Sequence, residues 1–339
     1  KEWVTPEGKF IDQYTFGVAI MEMPFFFVGH AMAKLTWEPT TGFSAPYQNA
    51  IRLSSIVYGL LGLMIVFKIL RRYFHDNTSI ISIAIIALGS NLFWFMFYQA
   101  GMSHVPLFFL FALLLWQTIL LYEKPQWHKF IFIGLLCGFI TYIRPADIVC
   151  IFIPILFGIT DKQTLKERWK FIVTHFSKFV LIAVVCFVIW IPQMMFWKHL
   201  SGYFLYDTYG SQQTFNFKYP QIYKGLFGAN NGWLFYSPAL LIFIPGLFIN
   251  KKIRPFFILL ITFLLSYWYI IYSWFCPNYI NGFGSRPMVD VMALIALPIT
   301  CFIEFIAHKR RVLKFASPLF LSFSIIVSFS FMVQKHLDI

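Results

Sequence analysis

Two arginine residues stand in stretches of the sequence where an unpaired charge would be costly. Arg144 lies in the apolar run 142–147, and Arg286 in the glycine-containing run 281–287. A guanidinium can hold a phosphate through two parallel hydrogen bonds, so both residues are candidates for binding an anionic ligand. The spacing leaves alternatives open: Arg144 could pair internally with Asp147, and Arg286 could belong to an ordinary loop with its side chain reaching the surface. Two arginines at the same depth near the outer membrane surface favour an anion site more strongly than either arginine does alone.

The run 226–238 is a turn rich in glycine and asparagine that leads into an aromatic helix start. Asn231, Trp233 and Tyr236 are its candidate ligand contacts, because aromatic rings stack on sugars and an amide can bond to hydroxyl groups. The alternative is a belt of aromatic side chains at a membrane–water interface.

Two further polar segments could carry ligand contacts. His104, in the turn 101–106, could donate a hydrogen bond to phosphate, carry a proton, or simply begin a helix. The strip 8–17 contains Lys9, Asp12 and Tyr14. No second histidine is suitably spaced and no Cys/His cluster occurs, so the sequence supports no metal site. Nucleotide-binding loops and the serine and zinc hydrolase motifs are also missing from the sequence.

The elements that position these residues must be membrane helices. The 339 residues are 59% hydrophobic and 12% charged, whereas soluble domains carry about 25% charged residues. The net charge of +13 resides mostly in short Lys/Arg clusters between apolar runs, as in cytoplasmic loops of membrane proteins. This placement argues against a nucleic-acid partner, which would need one basic patch with stacking aromatics. The composition therefore predicts an all-α polytopic membrane protein with the lipid bilayer as its surroundings.

The basic clusters also predict the topology. Apolar runs cover about 50–70, 78–98, 104–122, 129–160, 179–197, 234–250, 255–275, 288–307 and 315–334. If all basic clusters face the cytoplasm, 129–160 must turn back on itself and leave Arg144 at the outer end of two short helices. Neighbouring basic clusters must then be separated by an even number of crossings. Counted in this way, the sequence predicts about ten transmembrane helices in a domain spanning 50–335. Chemistry is then expected on the outer side, in the loops 1–49, 198–233 and 276–287.

Residues 1–49 are predicted to form an exoplasmic loop. The apolar segment 16–33 carries Glu22, Pro24 and His30 and is short for a span, so we expect an amphipathic or re-entrant element on the outer face. Since this places the start of the chain outside without a signal peptide, we expect at least one helix upstream of Lys1.

Taken in order, several short runs resemble the GT-C superfamily of glycosyltransferases. The resemblance is nearest to the bacterial protein mannosyltransferase and aminoarabinose transferase relatives (family 39-like). The runs that carry it are 14–19, 23–26, 42–47, 102–104, 143–145, 191–193 with 197–198, 232–238 and 283–286. They are colinear and extend over most of the chain.

The resemblance implies a donor and a reaction. It implies a polyprenyl-phosphate-linked sugar as donor substrate, a protein or glycan acceptor, inversion at the anomeric carbon, and a periplasmic active side in the cell inner (cytoplasmic) membrane. It gives Arg144 and Arg286 the phosphate role, with His104 and Tyr236 as hydrogen-bond donors. No divalent metal is called for.

This sequence departs from the family pattern at two points. The general-base Asp of the family is expected upstream of Lys1, so the catalytic residue is unknown; Glu2, Glu7 and Asp12 are the carboxylates nearby, with Asp12 the one singled out. Relatives often have a lysine where this sequence has Gln13, and Lys9 could replace it.

Two other functions fit the same sequence. One is a non-catalytic GT-C-like subunit of a larger envelope complex, which the unplaced base suggests. The other is a transporter of lipid-linked sugars or small solutes, although no internal repeat of the kind found in transporters is evident.

Overall fold

The computed structural model describes residues 4–5, 8–210, 213–249, 251–279, 282–307 and 311–336, without the side chains of 311–318 and 320. Within these ranges the protein is helical, and extended pairing is limited to two isolated bridges, Val4 with Phe10 and Phe215 with Trp274. The all-α fold class expected from the sequence is confirmed. Glu2, Glu7 and Asn281, named above singly or within a run, lie outside the described residues.

The first half of the chain forms seven helices. They are α1 (Gly17–Leu35), α2 (Ala45–Leu70), α3 (Asp76–Leu88), α4 (Leu92–Phe97), α5 (His104–Glu123), α6 (Trp127–Ile143) and, after a 3-10 turn at Pro145–Ile151, α7 (Phe152–Leu156).

The described part of the second half adds eight more, two of which follow directly on short 3-10 turns. They are α8 (Lys162–Thr174), α9 (Phe176–Ser201), α10 (Ile222–Phe227), α11 (Trp233–Tyr236), α12 (Phe243–Ile249, after the turn Pro238–Ile242), α13 (Arg254–Tyr272, after Lys251–Ile253), α14 (Met292–Ala307) and α15 (Arg311–His336). A further 3-10 turn, Arg286–Val289, lies shortly before α14.

Burial identifies the centre of the bundle. Nearly every residue of α14 is buried, and α5 is also largely buried, whereas α9 buries only a few of its residues. A helix that is apolar all round belongs inside a protein or in lipid. We conclude that α14 and α5 form the core, while α9 lies at the periphery with its apolar face towards lipid.

The chain reverses direction after α6, as the placement of the basic clusters predicted. Cys150 Sγ lies 4.0 Å from the carbonyl of Cys137, one to two turns back along α6. Tyr122, at the end of α5, donates a hydrogen bond to the carbonyl of Pro154. The segment 145–156 therefore runs back alongside α6 towards the end of α5.

The basic clusters that the structure describes share one end of the bundle. Arg72, after α2, pairs with Glu123 at the end of α5. Lys252, before α13, lies 5.5 Å from the ring of Phe74 and pairs with Glu304 near the end of α14. We call this the basic end and the opposite end, where Arg144 and Arg286 lie, the site end.

The lengths of the helices refine the predicted crossings. Each of the ten predicted crossings coincides with a helix or a pair of short helices in the described part of the chain. Five described helical segments are long and apolar enough to span a membrane: Gly17–Leu35, Ala45–Leu70, His104–Glu123, Phe176–Ser201 and Lys251–Tyr272. Other predicted crossings correspond to shorter apolar helices, such as Asp76–Leu88 and Met292–Ala307.

Helix α1 packs antiparallel against the first half of α2. Tyr58 donates a hydrogen bond to the carbonyl of Met21, while Gly29 meets the backbone of Tyr47. Most of α1 is not covered by protein. Its length and composition would also allow a crossing, so the outer-face location stays a prediction.

A close approach of α12 and α14 gives a test of the packing. A Cβ added at Gly246 would lie 1.9 Å from the carbonyl oxygen of Pro298, which belongs to the backbone and cannot rotate away. We expect Gly246→Ala to lower the thermal unfolding temperature, at a cost of about 1–3 kcal/mol or more. Ile244→Ala, at a partly exposed position of the same helix, is the control and should cost less. Equal losses in a detergent thermal-shift assay would contradict this packing.

Candidate functional site

Arg144 projects from the end of α6 because the next residue is a proline. Proline lacks an N–H and disfavours helical geometry in the residue before it. Arg144 is accordingly extended, with φ −148° and ψ 104°. The side chain therefore leaves the helix at its site end.

A single buried carboxylate, that of Asp290, organises this end of the bundle. One of its oxygens lies 2.9 Å from His104 Nδ1 at the start of α5. The other accepts hydrogen bonds from Arg144 Nη1 over 2.9 Å and from the Tyr267 hydroxyl on α13 over 3.0 Å. Asp290 thus joins α5, α6 and α13 to the segment that precedes α14.

Asp147 is not the hydrogen-bonded partner of Arg144 that one interpretation of the sequence suggested. Its carboxylate is fully buried, and neither oxygen has a hydrogen-bond partner. It lies within electrostatic range of Arg144, Asp290 and Tyr267. The internal ion pair therefore exists, but Asp290, 146 residues away, provides it.

Arg286 lies close to Arg144 but has no carboxylate partner among the described residues. Burial and the nearby Arg144 charge lower the pKa of Arg286. Its guanidinium carbon is 5.7 Å from the centre of the Tyr279 ring. Among the residues that the structure describes, none forms an ion pair with Arg286. The structure thus brings together the two arginines predicted from the sequence, and the guanidinium of Arg286 could still bind an anion.

Tyr209, in the loop after α9, connects the arginines with the strip 8–17. Burial raises the pKa of Tyr209, and Tyr14, Arg144, Arg286 and Asp12 all lie within electrostatic range of its hydroxyl. The rings of Tyr14 and Tyr209 meet edge to face at 6.5 Å. Asp12 is exposed and accepts a hydrogen bond from the backbone N–H of Tyr14 over 3.0 Å.

The strip is fixed to the bundle by buried polar contacts. The Thr15 hydroxyl donates to the carbonyl of Tyr142 at the end of α6. The side-chain oxygen of Gln193, which is buried within α9, accepts from the N–H of Phe16 over 3.1 Å. The Thr208 hydroxyl donates to the carbonyl of Gln13 over 2.7 Å.

Two asparagines hold the loop 276–287 against the bundle. Asn231 donates to the carbonyl of Asn278 over 2.8 Å and accepts from the N–H of Gly284 over 2.6 Å. Asn91 donates to the carbonyl of Gly284 over 2.6 Å. Gly284 and Ser285 both have positive φ, at 59° and 50°. This clamp fixes the backbone immediately before Arg286.

Three other predicted ligand contacts are engaged with other parts of the protein. Trp233 has no exposed surface and packs against Phe243, so the structure gives it a packing role, and its contact with a ligand stays a prediction. Asn231 is likewise committed to the loop 276–287. Lys9 donates to the carbonyl of His199 over 2.9 Å, at the end of α9.

Tyr236 packs beside the site rather than pointing at the arginines. Its hydroxyl donates to the carbonyl of Ala229 over 2.9 Å. Its ring meets that of Phe283 edge to face at 5.2 Å. His104, Tyr14, Arg144 and Arg286 are therefore the predicted ligand contacts that the structure assembles.

An apolar groove of 630 Å³ opens beside this cluster. It is lined by α1, α5, α6 and α9, and its lining includes Ile20, Leu110, Phe139 and Tyr142. Tyr142 lies two residues before Arg144, so the groove extends to the end of α6 from which Arg144 projects. A second carboxylate lies near this end: Glu22 on α1 faces Gly101, and its Oε1 has no hydrogen-bond partner.

Asp290, Tyr267, Gln193 and Asn91 were not singled out from the sequence. A polar residue within an apolar run was the available signal, because such residues are costly in a membrane unless they have a partner. The sequence does not reveal which partner they meet. Within the described residues no group of three His, Cys, Asp or Glu side chains could hold a metal ion.

Comparison with known proteins gives one match. Residues 41–190 match the family model described as dolichyl-phosphate-mannose-protein mannosyltransferase. This region extends from the end of the α1–α2 connection into α9 and includes His104 and Arg144. The match supports a membrane glycosyltransferase of the GT-C kind. No curated protein and no solved structure matches the chain.

The Asp290–Arg144 pair makes a quantitative prediction about stability. Asp290→Ala leaves Arg144 buried without its partner, which should cost about 3–5 kcal/mol. Asp290→Ala combined with Arg144→Met should cost clearly less than the sum of the single substitutions, because each single change strands one charge. A double-mutant cycle of thermal or denaturant unfolding in detergent measures this coupling, and additive effects would rule the pair out as a stabilising unit.

Proposed function

We propose that this protein is an integral-membrane glycosyltransferase that moves a sugar from a polyprenyl-phosphate donor to an acceptor at the site end of the bundle. The acceptor is a hydroxyl or amino group of a protein, glycan or lipid A-like molecule. The reaction inverts the anomeric carbon. The site end faces the periplasm, and the protein lies in the cell inner membrane.

The observation that carries this proposal is the unequal pairing of the two arginines. Asp290 occupies Arg144, whereas Arg286 beside it has no carboxylate partner among the described residues. A phosphate monoanion placed between them would gain charge-assisted hydrogen bonds from both. Because the position is partly withdrawn from water, such contacts are stronger than at an open surface.

The groove supports a lipid as the carrier of that phosphate. Its lining is almost entirely apolar, and it extends to Tyr142 at the end of α6, the end from which Arg144 projects. Moving apolar surface out of water is favourable by about 25 cal/mol of free energy per Å². A prenyl chain that is already in the bilayer would instead be stabilised in the groove by close packing against its lining. A prenyl chain in this groove would leave its phosphate beside the arginine pair.

The chemistry assigned to the site is displacement at the anomeric carbon. The acceptor oxygen or nitrogen forms the new bond while the bond from the anomeric carbon to the phosphate oxygen breaks. The acceptor proton passes to a carboxylate, and the negative charge of the departing phosphate is stabilised by Arg144 and Arg286. Donation from His104 Nε2 to the same phosphate requires the doubly protonated ring, because its Nδ1–H is directed at Asp290.

Two carboxylates are candidates for accepting the proton. Asp12 lies in electrostatic range of Tyr209, which in turn neighbours both arginines. Glu22 is a partly buried acid on α1 near the turn that leads to His104. The family resemblance also allows a base supplied from upstream of Lys1.

The distribution of charge supports the orientation. The described basic clusters collect at one end of the bundle, and cytoplasmic loops are the ones that hold excess Lys and Arg. The site end would therefore face away from the cytoplasm.

The arginine pair gives the main activity test. Arg286→Ala should lower kcat/KM for release of polyprenyl phosphate by about 100-fold to 1000-fold, because it removes a cation from the departing phosphate. Arg286→Lys should recover part of this loss. Lys218→Ala, an exposed cation of the same end, is the matched control. Unchanged release by Arg286→Ala and Arg144→Lys variants that stay folded would contradict the proposal and favour a non-catalytic subunit.

The proton acceptor can be identified by isosteric substitution. If Asp12 is the base, Asp12→Asn should lower kcat by about 100-fold to 10,000-fold with little change in donor KM. Glu22→Gln serves as the parallel comparison. The measurement is sugar transfer to acceptor under saturating donor. Full activity in both variants would show that neither residue is the base.

A further inference from the structure

Helix α8 lies at the basic end and presents two distinct rows of side chains away from the protein. Leu165, Trp169 and Val173 are spaced four residues apart, and all three are more than half exposed. Lys162, Lys166 and Lys170 form a second exposed row with the same spacing. Residues four apart lie on one face of a helix, so an apolar row and a basic row run side by side along α8.

The opposite face of α8 is the one that contacts the bundle. The guanidinium of Arg168 lies 3.4 Å from the centre of the Tyr122 ring and donates to the carbonyl of Phe157. The ring of Phe171 lies 5.0 Å from that of Tyr122. These contacts fix the rotation of α8, so its apolar and basic rows face outwards.

The position of α8 determines what surrounds those rows. Asp161 caps the start of the helix through a capping box. A single residue separates the end of α8 from α9, a long apolar helix able to span a membrane. A helix joined directly to the start of a span lies at the level of the membrane surface. An amphipathic helix there places its apolar row among the acyl chains and its cations at the headgroups.

We infer that α8 is an interfacial helix that binds the anionic phospholipids of the leaflet in which it lies. Trp169 and its apolar neighbours insert below the headgroups, and the three lysines bind lipid phosphates. Charge complementarity selects anionic lipid, because α8 contains a single acidic residue, Glu167, against four cations. This inference does not depend on the proposed function.

The first experiment measures lipid selectivity with the full chain. Purified protein in a neutral detergent is titrated with phosphatidylglycerol or phosphatidylcholine, and retained lipid is counted by native mass spectrometry. Each lysine near an anionic surface contributes about fivefold in affinity. Lys162→Gln/Lys166→Gln/Lys170→Gln should therefore weaken phosphatidylglycerol binding about tenfold or more and leave phosphatidylcholine binding unchanged.

A matched variant removes the same charge from the other end. Lys34→Gln/Lys218→Gln/Lys224→Gln takes three exposed lysines from the site end and should retain the phosphatidylglycerol preference. If both triple variants lose the preference equally, net charge rather than α8 is responsible, and the inference fails.

The second experiment reports directly on the apolar row. The protein is reconstituted in nanodiscs that contain brominated phosphatidylcholine, and its fluorescence is compared with that of Trp169→Phe. The difference spectrum should show a blue-shifted emission that the bromine atoms quench. A difference spectrum typical of indole in water, without quenching, would overturn the inference and leave the face available for a protein partner.

Discussion

The site end of this protein depends on one carboxylate buried among four segments of the chain. Asp290 contacts His104, Arg144 and Tyr267, so helices that are far apart in sequence share a single charge. Burying an ion pair is expensive unless additional hydrogen bonds satisfy both partners. The tyrosine hydroxyl and the histidine provide those bonds for Asp290. These contacts hold the guanidinium of Arg144 in a fixed direction. Without them, a long side chain in a loop would adopt many conformations.

Arg286 is positioned by different means. Its support comes from the backbone, through the asparagine clamp on Gly284 and the positive φ of Gly284 and Ser285. The two arginines therefore reach one location from unrelated scaffolds, one fixed by an ion pair and one by a shaped loop. Arg144 is paired with a carboxylate, whereas Arg286 has no ion-pair partner among the described residues.

Much of the architecture could be predicted from the sequence. Composition set the fold class, and the parity of basic clusters required the reversal near Arg144 that the structure contains. The pairing of side chains could not be predicted, because Asp147 is three residues from Arg144 whereas Asp290 is 146 residues away. Sequence distance carries no information about which buried polar groups meet across helices. The packing of Trp233 and the hydrogen bonds of Asn231 could not be predicted for a related reason, since an aromatic ring or an amide suits a core or a loop contact as well as a ligand.

The hydrogen bond between Thr15 and the end of α6 has a consequence for the route that the proposed donor would take to the arginines. Because Pro145 ends the helix, the carbonyls of its last turn need donors from elsewhere, and the strip 8–17 supplies one. Swinging that strip away like a flap would strand a carbonyl in apolar surroundings. A lipid-linked donor of the kind proposed would therefore approach sideways, from the plane of the bilayer, with the strip remaining in place above it.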